Sequence, residues 1–203
     1  MAFTSFTNLA SVVKKYKLLY RENVCEFDLL HQAPASLHEE ITLNRLEIPY
    51  QNSEIAIGET ILFPILKAVW LEFKDFLTLW SHTALELDDI LTGYPDYLLA
   101  SKSDQGKIIL GTPFLAVVEA KKDDFTAGWG QCAAEMYAIQ QLNKKTDLEI
   151  LGMVSNGDYW QFAFLKENIF KKCKNNYTID NLDSIYNFMV SHLKNVLKEF
   201  PKK

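Results

Sequence analysis

Residues 114–118, Phe-Leu-Ala-Val-Val, form an unbroken apolar run that ends at Glu119, Ala120 and Lys121. A short apolar run without polar alternation suits a strand buried on both faces. It therefore predicts a sheet whose central strand is covered by helices on either side. Helical periodicity supplies the cover. Residues 53–74 carry Ile61, Leu62, Ile65, Leu66, Val69 and Phe73 at i, i+3, i+4 spacing, with Pro64 expected to bend the helix. Residues 128–143 set Ala133, Met136, Tyr137 and Gln140 on one face. A third helix is predicted near the end of the chain, with Asp180 as its N-cap and a stripe running from Leu182 to Phe200.

Shorter signals fill in the order. Residues 3–20 read as a helix with a basic edge at Lys14, Lys15 and Lys17, and residues 36–46 as another helical piece. Residues 76–80, 84–87 and 93–100 read as strands, the last entered through Gly93 and Pro95. Asn156-Gly157 between two apolar runs predicts a hairpin. The expected class is α/β (α+β), a mixed central sheet flanked by helices. A chain of 203 residues is expected to form one domain over 1–203, with its core at about 53–165.

Composition narrows function mainly by exclusion. Lys plus Arg is 21 against 26 for Asp plus Glu, a net charge of −5. That balance, with a pI near 5.4, argues against a protein that coats DNA through bulk charge. No apolar run approaches the roughly 18 residues of a membrane span, and the first residues lack a signal-peptide pattern. Cys25, Cys132 and Cys173 are distant from one another and odd in number, which fits a reducing cytoplasm. His31, His38, His82 and His192 are scattered, read as structural or surface residues, and no Cys or His pair has zinc-ligand spacing.

The chemistry is concentrated in two pieces, Pro95-Asp96 and Glu119-Ala120-Lys121. In a strand, residues i and i+2 point the same way, so Glu119 and Lys121 face together at the end of a buried strand. One reading is a salt bridge at a strand end. The other is a hydrolytic site, in which the Asp96 and Glu119 carboxylates and the Ala120 carbonyl hold Mg²⁺ and Lys121 handles a water. Glu54 and Glu59 lie on opposite shoulders of the helix at 53–74, and periodicity does not choose between them as a further acid. Trp129 reads as core in preference to a base-stacking platform, and Asp123 and Asp124 as the entry to the next helix. Lys144, Lys145, Lys166, Lys171, Lys172 and Lys174 are open to two readings, a local basic patch or solvated loops.

Asp96, then Glu119-x-Lys121 ending an apolar strand, then a helix opening with Gln131, resembles the PD-(D/E)XK nuclease superfamily. The similarity extends over about residues 53–165. It is shared with small bacterial members and with the N-terminal nuclease region of type I restriction enzyme R subunits. The resemblance implies a restriction-endonuclease-like fold and a Mg²⁺ (or Mn²⁺) site at Asp96 and Glu119. It also implies a water-positioning Lys121, and a Gln131 that orients the site or touches the nucleic-acid backbone. It favours Glu54 over Glu59, while Gly58 departs from the basic residue often found there. DNA is the implied partner, with a homodimer or a partner protein as further possibilities. A non-catalytic module on the same fold, and a purely structural ion-pair network, are the competing expectations.

Overall fold

The structure, a computed structural model, describes residues 2–200. A short 3₁₀ turn, Phe3–Ser5, leads to α1 (Leu9–Tyr16) and β1 (Leu19–Asn23), then α2 (Ala35–Glu47). A bent helix follows as α3 (Glu54–Ile57), a π-helical turn (Gly58–Leu62) and α4 (Phe63–Glu72). Next come β2 (Leu77–Ser81), β3 (Leu85–Glu86), β4 (Thr92–Gly93), β5 (Tyr97–Ser101), β6 (Phe114–Ala120) and α5 (Phe125–Asn143). The chain continues through β7 (Ile150–Ser155), β8 (Tyr159–Lys166), β9 (Ile169–Cys173), β10 (Tyr177–Thr178) and α6 (Leu182–Leu197).

The fold is mixed α/β, as the apolar run predicts. The main sheet runs β1-β9-β8-β7-β6-β5-β2, with β10 pairing beside β8. All seven residues of β6 are buried. The β6–β7 pair is parallel and is joined by α5, whereas β5–β6 and β7–β8 are antiparallel. One face carries α5, α1 and the N-terminal turn over Val117, Val154 and Phe170. The other carries α2, α4 and α6 over Val118, Leu151 and Phe162. β6 therefore divides its side chains between two cores, and this sends Glu119 toward α5.

Local chemistry explains the helix ends. Ser53 caps α3 by accepting the Ala56 amide at 3.1 Å, and Asp124 caps α5 by accepting the Ala127 amide at 2.9 Å. Pro64 has no N–H to give the Thr60 carbonyl one turn back. The Asn44 side chain donates to that carbonyl instead, at 2.8 Å, just where the helix loosens into its π turn.

Four expectations change. The helix expected over 3–20 breaks because Lys17 adopts a left-handed conformation (φ 54°), and the chain then pairs with β9 as β1. Asn181, not Asp180, caps α6, while Asp180 binds Arg45 at 2.8 Å. The lysines at 171 and 172 are in a strand, not a solvated loop, and alternation separates them. Lys171 lies over the Phe164 ring and Lys172 over Trp129, on opposite faces, so they form no single basic patch. Cys25 and Cys173, 148 residues apart, form a disulfide because β1 lies beside β9, so these two thiols are not free. Cys132 is free and buried. Among the described residues no helix is long and apolar enough to cross a membrane.

Gly130 of α5 allows the N-terminal segment to lie against the helix. A Cβ there would collide with the Phe6 carbonyl and the Asn8 amide, both backbone atoms. Alanine alone favours helix by about 1 kcal/mol, yet we expect Gly130→Ala to destabilise the protein by about 1–3 kcal/mol. A lower urea midpoint would show this, whereas an unchanged or higher midpoint would mean that α5 and residues 6–8 part without cost.

Candidate active site

The site is built where β5 and β6 meet. Tyr97 pairs with Val118, so Asp96, one residue earlier, stands level with Glu119. The Asp96 Oδ2 accepts the Ala120 amide at 2.7 Å, which locks the carboxylate against the end of β6. Its Oδ1 faces the His82 Nε2 at 3.4 Å, and the His82 amide donates to the Asp96 carbonyl at 2.9 Å.

Glu119 is wholly buried beneath α5. Its Oε2 lies 3.3 Å from the Lys121 Nζ, which also lies 3.7 Å from the Glu54 Oε2. Glu54 further accepts the Lys122 amide at 3.4 Å. Gly128 makes room for the lysine stem, since a Cβ there would stand 2.8 Å from Lys121 Cγ. Asp96, Glu119, Ala120, Lys121 and Glu54 thus share one sheet end. The Ala120 contribution on view is its amide.

Other expected residues sit differently. Glu59 is exposed in the π turn and acts electrostatically on Tyr97, so Glu54 is the first-helix acid that reaches the lysine. Gly58 packs closely there, since a Cβ would lie 2.9 Å from the Tyr97 hydroxyl and make that side chain shift. Gln131 reaches the cluster indirectly. Its Nε2 donates to Glu135 Oε1 at 3.2 Å, and Glu135 faces Glu119. Trp129 is buried and donates to Gln161 at 2.6 Å, as a core tryptophan does.

Two participants, Glu135 and His82, were not singled out from sequence. Glu135 left a signal, a lone acid among Cys132, Ala133, Ala134 and Met136, all buried in a helix that is enclosed on most sides. His82 left none, because its place beside Asp96 follows from the pairing of Ser81 with Tyr97.

Electrostatics are dominated by burial. Burial raises Asp96, against the Ala120 amide, Lys121 and His82, which lower it. Glu119 is pushed up to about 7 by burial and then by Asp96, with Lys121 opposing. Glu135 is raised well above the usual range by burial and then by Glu119. Glu119 Oε1 and Glu135 Oε2 are buried with no donor to meet them, and two facing carboxylates form a hydrogen bond only by sharing a proton. Lys121 behaves oppositely. Burial lowers it, but Glu119, Glu54 and Asp96 outweigh burial and hold the ammonium above its ordinary pKa.

A buried carboxylate oxygen without a donor, close to a second carboxylate, suits a hard divalent cation. Among the described residues no three His, Cys, Asp or Glu side chains gather as a ready cage. Asp96 and Glu119 are the residues that could hold such an ion, and Mg²⁺ takes few protein oxygens and keeps several waters. The chain matches no known protein-family model, and no curated protein matches it.

The raised Glu119 gives a pH prediction. Between its ordinary 4.5 and about 7 the folded chain holds a proton that the unfolded chain has released. The stabilisation is complete below 4.5 and disappears as pH rises through 7. In EDTA, the urea midpoint is expected to fall from pH 5 to pH 8, and to fall less in Glu119→Gln. Parallel profiles for the two proteins would refute this origin.

Proposed function

We propose that this chain is a divalent-metal-dependent nuclease of the PD-(D/E)XK type, hydrolysing phosphodiester bonds in DNA. One observation carries the reading. Two carboxylates from adjacent strands, Asp96 and Glu119, stand with Lys121 at one sheet end.

Asp96 and Glu119 would hold Mg²⁺ or Mn²⁺, which when bound neutralises phosphate charge and acidifies water. The Ala120 amide fixes the Asp96 carboxylate before any ion arrives, so little reorganisation is required. Lys121 is best suited to act as a cation. Its neighbouring carboxylates hold it protonated, so it orients a water oxygen and offsets charge on the phosphate, and does not remove a proton. Glu54 keeps the Lys121 ammonium tethered over the site from the far side. Half of the Glu54 side chain is exposed, so it tunes this position weakly. The Gln131–Glu135 contact braces Glu119 from behind.

Cleavage of supercoiled and linear DNA in Mg²⁺ or Mn²⁺ tests the proposal. Asp96→Asn, Glu119→Gln and Lys121→Met are each expected to lower the rate at least about 10²-fold. Glu54→Gln should lower it less, and Glu59→Gln should leave it unchanged. Metal-dependent DNA binding without cleavage would favour a non-catalytic module. Full activity in all three core variants would remove the site assignment.

A further inference from the structure

A cleft of about 230 Å³ opens beside the first turn of α5, between that turn, β1 and β9. Three rings line it, from the half-buried Phe125, the exposed Tyr20 and the buried Trp129. Gln161 and Lys172 supply its polar side, with the Thr126 hydroxyl at the rim.

The fold sets which polar atoms are on offer. The Trp129 Nε1–H only donates, so its 2.6 Å bond to Gln161 identifies the engaged atom as Oε1. The Gln161 Nε2 is then the free end, and among the described residues it meets no acceptor. Lys172 Nζ lies 5.2 Å from the centroid of the Trp129 ring, on a half-buried side chain. Glu22 stands opposite Lys172 in the β1–β9 pair, acts on it electrostatically and also accepts the Tyr20 hydroxyl. With the lysine charge offset, the cleft favours a neutral flat ring over a phosphate. Aromatic walls suit stacking on a base. Two donors, Gln161 Nε2 and Lys172 Nζ, match the paired O6 and N7 acceptors of guanine, whereas adenine sets an amino donor beside its N7.

Position links the cleft to the cluster at Asp96 and Glu119. Glu119 is opposite Val154, which is opposite Gln161, so Gln161 shares the α5 face of the sheet two strands away. Two strand spacings are about 10 Å. A nucleic-acid strand seated at the sheet end reaches the cleft by passing the first turn of α5.

We propose that this cleft holds one unstacked guanine of a DNA strand lying across the site, walled by Tyr20 and Phe125 and read by Gln161 and Lys172. The inference rests on the nuclease reading and deepens it, because it names the base recognised beside the cut.

The test uses the full chain in EDTA, so that binding is measured without cleavage. Fluorescence anisotropy compares a labelled ten-nucleotide thymidine oligomer with oligomers carrying one central guanine, adenine, cytosine or 7-deazaguanine. The guanine oligomer is expected to bind about tenfold more tightly than the others, 7-deazaguanine included, because it lacks the N7 acceptor. Tyr20→Leu should remove most of that advantage. Gln161→Glu keeps an oxygen for Trp129 but replaces the donor, so it should turn the preference from guanine toward cytosine, a change that mere loss of stability does not produce. Urea midpoints of the variants serve as the folding control. Equal affinity for all the oligomers, or a guanine preference that Tyr20→Leu and Gln161→Glu leave intact, overturns the cleft assignment, and metal-dependent cleavage in the same preparation would leave the nuclease reading standing. Guanine-selective binding that both variants alter, by a chain that cleaves no DNA in Mg²⁺ or Mn²⁺, upholds the cleft and overturns the nuclease reading.

Discussion

The antiparallel pairing of β5 with β6 is the constraint on which the site depends. A carboxylate on one strand and a Glu-x-Lys on the next meet only if the register is right, since a slip of one residue turns every side chain to the other face. Here Tyr97 opposite Val118 fixes that register, and the Asp96 side chain closes it by taking the Ala120 amide. The bond ends the ladder and aims the carboxylate in one step. On the other edge of β5, the β2–β5 pairing places Ser81 opposite Tyr97 and so brings His82 to Asp96.

The second consequence is a conflict built into the core. β6 is buried on both faces, and Glu119 lies on it beneath α5. Two fully buried acids, Glu119 and Glu135, face each other across this helix–sheet interface, with one lysine on the near side. Apolar residues would serve packing better, since buried charges rarely repay their desolvation. Strain of this kind concentrates where a site must meet a ligand of opposite charge. The fold tolerates it because the surrounding helix is tightly seated, with Gly128 and Gly130 permitting close approach to Lys121 and to the N-terminal segment.

Much of this was legible in the sequence. The apolar run to Glu119 marks the central strand, the 3.6-residue stripes mark the long helices, and Asn156-Gly157 marks the hairpin, because each signal is local. The triad Asp96, Glu119 and Lys121 was also legible, since a two-residue period already places Glu119 and Lys121 on one side. What was missed depends on contacts between distant segments. β1 has five exposed residues and no alternation, and it exists because β9 offers an edge. The Cys25–Cys173 link follows from that edge and is invisible to spacing. Periodicity alone left Glu54 and Glu59 open, and only the resemblance favoured Glu54, because the Glu54–Lys121 contact joins segments distant in the chain.

In the proposed site Asp96 and Glu119 hold one divalent cation. An anomalous-difference map from crystals soaked in Mn²⁺ tests it most directly. One strong peak is expected about 2.0–2.3 Å from oxygens of both carboxylates. A peak elsewhere, or none at these two residues with the ion in excess, would contradict it.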